Sequence, residues 1–137
     1  SNGKKVTPTL IKRKQKINFD QIEYITKYNK IIESALFKVV NEQKGTAFKS
    51  RSSEYHFSGK TGTSQVKKIT QAERESEEFR KKTIEWKNKD HALFVGYLPS
   101  KNPKYAISVV IEHGGSGAAT AAPIVKRTFD YLMKIKI

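Results

Sequence analysis

From Ile22 the apolar residues fall at Ile22, Ile25, Ile32, Leu36 and Val39, with Ile31, Ala35 and Val40 beside them. That spacing is helical, clearest over 29–41, and Gly45 supplies a C-terminal stop. Upstream, "VTPTLI" (Val6–Ile11) alternates β-branched and polar residues, with Pro8 pointing to an edge position. "YHFSGKTGTSQV" is aromatic and β-branched, which predicts a strand over 55–66. Its interior Gly59 and Gly62 mark a weak point or a close approach. "TQAERESEEFRKKTIEW" reads as a helix with a thin apolar face. Thr70 and Glu73 form its capping box, and Glu77–Lys81 and Glu78–Lys82 form i,i+4 ion pairs, the signature of an exposed insertion over 67–90. "HALFVGYLP" (91–99) and "KYAISVVIEH" (104–113) are the strongest strands. Only Pro99–Pro103 separates them, so they pair as an antiparallel hairpin. After the loop "GGSGAAT", Thr120 caps a last helix over 120–135 with Pro123 in its first turn. Val125, Phe129, Leu132 and Met133 form its buried stripe. The order is helix, strand, exposed helix, strand, strand, helix, hence α+β: an antiparallel sheet covered by helices.

At 137 residues the chain has the size of one ordinary domain. Its 27 Lys+Arg against 13 Asp+Glu give a formal charge of +14, which favours anionic partners such as nucleic acid, anionic lipid or a polyanionic wall polymer without choosing among them. A basic nucleic-acid-binding module is therefore one alternative, although no recognised binding motif accompanies the charge. With no cysteine, disulfides and thiolate catalysis are excluded. No apolar run approaches the roughly 18 residues of a membrane helix, and no leader pattern opens the chain. As given, the chain is expected to be soluble.

Gly59-Lys60-Thr61 matches the end of a phosphate-binding P-loop, but the glycine required five residues earlier is Glu54, and "SQV" starts no amphipathic helix. "GGSGAAT" between strand and helix lacks the third glycine and the later acidic residue of a dinucleotide fingerprint, so it reads as a flexible turn. His56, His91 and His113 have no metal-ligand spacing, and neither metal nor cofactor is expected. On a strand, Thr61 and Thr63 project to one face, their hydroxyls about 7 Å apart. Gly62 leaves the backbone open between them. Alternation sends Lys60 to the opposite face, from which its ammonium has to reach around the edge. Hydroxyl donors at fixed spacing plus a cation suit a bound carboxylate; a threonine-rich strand with a solvated lysine is the bland alternative.

Lys60-Thr61-Gly62-Thr63 on a strand resembles the third signature of the penicillin-binding proteins and serine β-lactamases, whose other two are S-x-x-K and S-D-N. "GTAFKS", "SGKTGTSQV", "HALFVGYLP", "YAISVVIEHGGSG" and "AAPIVKRTFDYL" follow in the order seen at the C-terminal end of class B enzymes, above all the elongation type, penicillin-binding protein 2. "NGKKVTPTLIK" resembles the segment before it. The resemblance covers nearly the whole chain apart from 67–90. It implies the C-terminal portion of one transpeptidase domain of a peptidoglycan D,D-transpeptidase, which cross-links wall stem peptides through an acyl-serine and is acylated by penicillin. It also implies a parent at the periplasmic face of the bacterial inner membrane, a cell-shape enzyme and antibiotic target. Lys60 would tune the charge of the cleft, Thr61, Gly62 and Thr63 would hold the substrate or drug carboxylate, and the Thr63 N–H would be one oxyanion-hole donor.

The serine signatures should lie upstream. Ser64-Gln-Val-Lys67 and Ser100-Lys-Asn102 come after the third signature, and Ser1-Asn-Gly-Lys4 has no helix to present it. The resemblance thus implies a piece without its nucleophile, inactive alone. Of the family's five-stranded sheet it would hold three strands: 55–66 at the active-site edge, 91–98 in the middle and 104–112 inside. The expected partners are stem peptides and β-lactams in the parent, the missing N-terminal half of the domain, and a second copy pairing along the uncovered 104–112 edge; no nucleic acid is expected on this reading. A serine β-lactamase or β-lactam sensor is the alternative within the family.

Overall fold

Helix α1 occupies Glu23–Asn41, where the helical spacing of apolar residues places it. The structure is a computed structural model and describes residues 4–5, 10–11, 20, 22–68, 70–78 and 83–135. The chain divides into two units, Ser1–Ala35 and Leu36–Ile137. In the first, the Lys5 N–H donates to the Asp20 carbonyl at 2.9 Å, and Asn29 Nδ2 donates to Glu33 Oε1 one turn along the helix. Of the segment expected over Val6–Ile11, only Leu10 and Ile11 are described, and both are exposed. The apolar stripe of α1 is not a buried stripe along its length. Ile31 and Ile32 are 67% and 46% exposed, whereas Val40, near the C-terminal end, is fully buried.

The second unit holds the sheet, in the order β1 (Ser58–Ser64), β2 (His91–Leu98), β3 (Tyr105–Ile111), antiparallel throughout. The predicted hairpin is present, closed by the Lys104 N–H on the Leu98 carbonyl at 2.9 Å. β1 is shorter than the expected 55–66, because the ladder ends at Ser58 opposite Tyr97 and the next residues meet Pro99, which has no N–H to donate. One face of β2 is buried through Ala92, Phe94, Gly96 and Leu98. It packs against helix α3 (Ala122–Lys134), whose Val125 and Phe129 are fully buried. Phe57, Phe94 and Phe129 meet edge-on, with ring centroids 5.3 Å and 6.5 Å from Phe57. Each such side chain contributes about 1.5–3 kcal/mol by leaving water. Leu132 packs against this core, but Met133 is 45% exposed and does not belong to the stripe.

Two helix boundaries differ from the sequence reading. Thr120 does not cap α3. The chain already coils at Gly117–Ala121 as a π-helical turn, with the Ser116 hydroxyl accepting the Ala119 N–H, while the Thr120 hydroxyl donates to the Gly114 carbonyl. The charged insertion opens with the predicted capping box: the Thr70 N–H donates to the Glu73 carboxylate at 2.8 Å and Thr70 Oγ1 accepts the Glu73 N–H. Helix α2 spans Gln71–Glu75 and helical backbone resumes at 77–78, so the predicted helix is interrupted at Ser76 rather than continuous. Ser76 turns extended, and its hydroxyl takes the Glu73 carbonyl that a continuing helix would have used. Lys81 and Lys82, the partners expected for Glu77 and Glu78, fall outside the described residues.

Candidate active-site edge of the sheet

Among the described residues β1 has a neighbour on one side only, so alternate residues turn their N–H and C=O away from the ladder. The His56 carbonyl accepts the Ser100 N–H at 2.9 Å, on the β2 side. Parity along the strand then gives the even-numbered residues to β2 and directs the N–H and C=O of Gly59, Thr61 and Thr63 to the open side. Lys60 agrees with this assignment, since its Nζ donates to the Thr61 carbonyl at 2.6 Å. Thr61 and Thr63 lie opposite Phe94 and Ala92, on the face that packs against α3, while Lys60 lies opposite Val95 on the other face. The ammonium thus leaves from one face and curls around the rim to the edge that carries the threonines, as alternation requires. Thr61 is half-buried, and Lys60 and Thr63 are exposed.

The strand is held from two directions. Asn41, at the end of α1, donates from its amide to the carbonyls of Phe37 and Phe57, both at 2.9 Å, and so ties the helix terminus to the entrance of β1. Beyond it, the Gly45 N–H bonds to the Glu42 carbonyl and the Ala47 N–H to the Val39 carbonyl. Gly45 fits this turn because a Cβ there would stand 2.3 Å from the Lys38 oxygen. The turn presents Thr46, whose hydroxyl lies 3.2 Å from that of Thr61. From the other direction Gly117 is buried against the sheet backbone, where a Cβ would come within 2.4 Å of the Gly62 oxygen and 2.3 Å of the Leu93 oxygen. The segment "GGSGAAT" is therefore a packing element behind the Gly62–Leu93 pair rather than a loose turn. Neither Thr46 nor Gly117 emerges from the sequence by periodicity; only the fold brings residues 15 and 55 positions away to Thr61 and Gly62.

The histidines have a different arrangement from their scattered sequence positions. His91 Nδ1 accepts the His113 N–H at 2.9 Å, the two rings meet edge-on at 4.8 Å, and Trp86 lies 4.5 Å from the His113 ring. His56 packs separately against Phe37. No group of three metal-binding side chains occurs among the described residues. Ser64 ends β1, Ser100 bonds to the buried Ser58 hydroxyl at 2.9 Å, and Ser1 falls outside the described residues.

Two hydroxyls, an outward N–H and an ammonium on one rim can bind a carboxylate and polarise a carbonyl. In comparison with known proteins, the model of the penicillin binding protein transpeptidase domain matches residues 1–130. The chain belongs to the penicillin-binding protein transpeptidase family. Within it, the likeness is to the elongation-type class B proteins. The peptidoglycan D,D-transpeptidase MrdA of Salmonella typhimurium is 34% identical over 74% of this chain, and its counterpart in Haemophilus influenzae is 29% identical over the full chain. The penicillin-binding protein PBP2 of Helicobacter pylori, solved in complex with MreC, superposes with a TM-score of 0.70 at 26% identity, covering 89% of this chain and 20% of that one. This transpeptidase-family chain spans 16% of the length of the Salmonella relative and 22% of the Haemophilus one. The antiparallel three-stranded arrangement with helices is the corresponding part of the transpeptidase fold.

Proposed function

We propose that this chain supplies the substrate-carboxylate rim of a peptidoglycan D,D-transpeptidase, which joins wall stem peptides through an acyl-serine intermediate whose serine lies outside these residues. The observation that carries the reading is Lys60-Thr61-Gly62-Thr63 on an open strand edge, with both threonines on one face and the lysine ammonium folded around to the same rim. In this reading the hydroxyls of Thr61 and Thr63 bind the terminal carboxylate of a stem peptide or a β-lactam. Lys60 sets a positive potential at the rim. The outward N–H of Thr63 donates to the oxyanion as the carbonyl becomes tetrahedral, an interaction typically worth about 10²–10³ in rate. The wall lies outside the inner membrane, so the whole protein works at that membrane's periplasmic face; among the described residues no helix is long and apolar enough to cross a membrane. The complex of the Helicobacter relative with MreC supports an equivalent partner for the whole protein.

The test is covalent labelling by a fluorescent penicillin. The whole protein is expected to be labelled and residues 1–137 alone are not. Labelling of residues 1–137 would place the nucleophile inside this chain, and failure to label the whole protein would remove the penicillin-target reading.

A further inference from the structure

Thr46 is exposed, and the turn that carries it is held without its side chain. The Gly45, Ala47 and Phe48 N–H groups bond to the Glu42, Val39 and Gly45 carbonyls, and Ala47 is buried beneath. Its hydroxyl is therefore not needed to make the turn, and what it meets is the Thr61 hydroxyl at 3.2 Å. Two hydroxyls at that distance share one proton between them, and the direction of sharing matters. If Thr61 donated to Thr46, its only proton would point back into the turn, and Thr61 would face an incoming carboxylate with lone pairs alone. If Thr46 donates, the Thr61 proton is free to point along the open side of β1, and accepting a bond makes Thr61 a stronger donor.

We propose that Thr46 is a positioning residue for carboxylate recognition: its hydroxyl donates to Thr61 and so aims the Thr61 proton at the ligand carboxylate. This rests on reading Lys60–Thr63 as a carboxylate-binding rim. Thr46 acts through Thr61 and touches no reacting atom. No covalent step is involved, and each proton stays on its own oxygen.

The experiment uses the whole protein and two acyl donors that differ only in bearing a free carboxylate or its methyl ester. Thr46→Val keeps the shape of the side chain and removes the hydroxyl. It is expected to slow acylation by the carboxylate donor about three- to tenfold, the range of one ordinary hydrogen bond, and to do so through KM rather than kcat. The ester donor should be unaffected, Thr46→Ser should restore the wild-type ratio, and Tm should not move. In a Thr61→Val background, adding Thr46→Val should change nothing further, because the residue it acts through is gone. An equal loss with both donors, or none with either, overturns the proposal. Thr61→Val alone separates this from failure of the underlying reading. If it leaves the carboxylate-to-ester ratio unchanged, the rim does not recognise a carboxylate; if it lowers the ratio while Thr46→Val does not, the rim stands and the role of Thr46 falls.

Discussion

Among the described residues the sheet has two open edges with the same backbone and opposite character. β1 and β3 each have seven residues, and each pairs there only with β2. Each therefore carries a row of N–H and C=O groups facing away from the ladder. β1 reads Ser-Gly-Lys-Thr-Gly-Thr-Ser, without one apolar side chain, while β3 reads Tyr-Ala-Ile-Ser-Val-Val-Ile, apolar except at Ser108. A flat apolar edge is a template for another strand, and charge or hydroxyls bordering an edge oppose such pairing. On β1 the lysine ammonium already occupies an outward carbonyl, so the edge suits a small anion better than a second backbone. What an edge binds is thus decided by the side chains along its rim.

The largest effect should come from removing an outward donor on β1 without touching the ladder. Thr63→Pro deletes the N–H that faces the open side, a substitution an edge strand accommodates. In the whole protein, acylation by penicillin is expected to fall about 10²–10³-fold. Thr63→Val keeps the N–H, loses the hydroxyl, and should cost about tenfold or less. Equal losses in stopped-flow acylation would mean that the hydroxyl, not the N–H, carries the effect. Next in size is Gly117→Ala, which forces a methyl against the oxygens of Gly62 and Leu93. Overpacking of this kind costs about 1–3 kcal/mol, read as a fall in the urea midpoint, and it should disturb β1 amide protection more than β3.

The apolar edge gives a smaller and opposite test. Residues 1–137 are expected to self-associate through β3. Ser108→Lys with Val110→Lys, both at exposed positions, should raise the dimer Kd at least about tenfold by charging that rim. Ser64→Lys on β1 should leave it unchanged. Sedimentation velocity distinguishes the two, and a wild-type monomer at high concentration would mean that the β3 edge is not sticky.

The pattern of this chain makes the strands legible and the helices only partly so. β2 and β3 lie within two residues of their predicted bounds because hydrophobic runs flanked by Pro99, Pro103 and Gly114 are local signals. The faces of Lys60, Thr61 and Thr63 follow from the two-residue period of any strand. The helix bounds differ where a serine hydroxyl intervenes. Ser76 interrupts a helix by taking the Glu73 carbonyl, and Ser116 starts the last coil early by accepting the Ala119 N–H; neither changes the apolar period. Ile31, Ile32 and Met133 fit helical stripes yet are exposed, because periodicity defines a face but not whether this stretch of chain covers it. Thr46 and Gly117 were illegible for a stricter reason: each acts on β1 through a contact between segments distant in sequence.

The smallest expected effect comes from the brace at the entrance of β1. Tyr55 donates from its hydroxyl to Asp130 Oδ1 at 2.6 Å, and Lys126 Nζ donates to Asp130 Oδ2 at 2.6 Å. Burial pulls the Asp130 carboxyl upward, but the hydrogen bonds from Lys126 and Tyr55 outweigh it and leave it below its ordinary 3.8. Burial, followed by the bond to Asp130, raises the Tyr55 phenol above 10.0. For Asp130 the folded value is depressed, so its contribution is present above about pH 4 and is lost as pH falls through the folded value. For Tyr55 the folded value is raised, so the contribution is whole below pH 10 and declines above it, as the unfolded chain ionises first. The ion pair is about a third exposed, which limits the acid-linked part to about 1 kcal/mol or less. Asp130→Asn should flatten the acid limb of the denaturation midpoint below about pH 4. Because the brace joins α3 to the residues just before β1, acid should loosen the β1–β2 ladder before the β2–β3 ladder, measurable as amide exchange. Equal loosening of both ladders would mean that the brace supports the sheet as a whole rather than the polar edge.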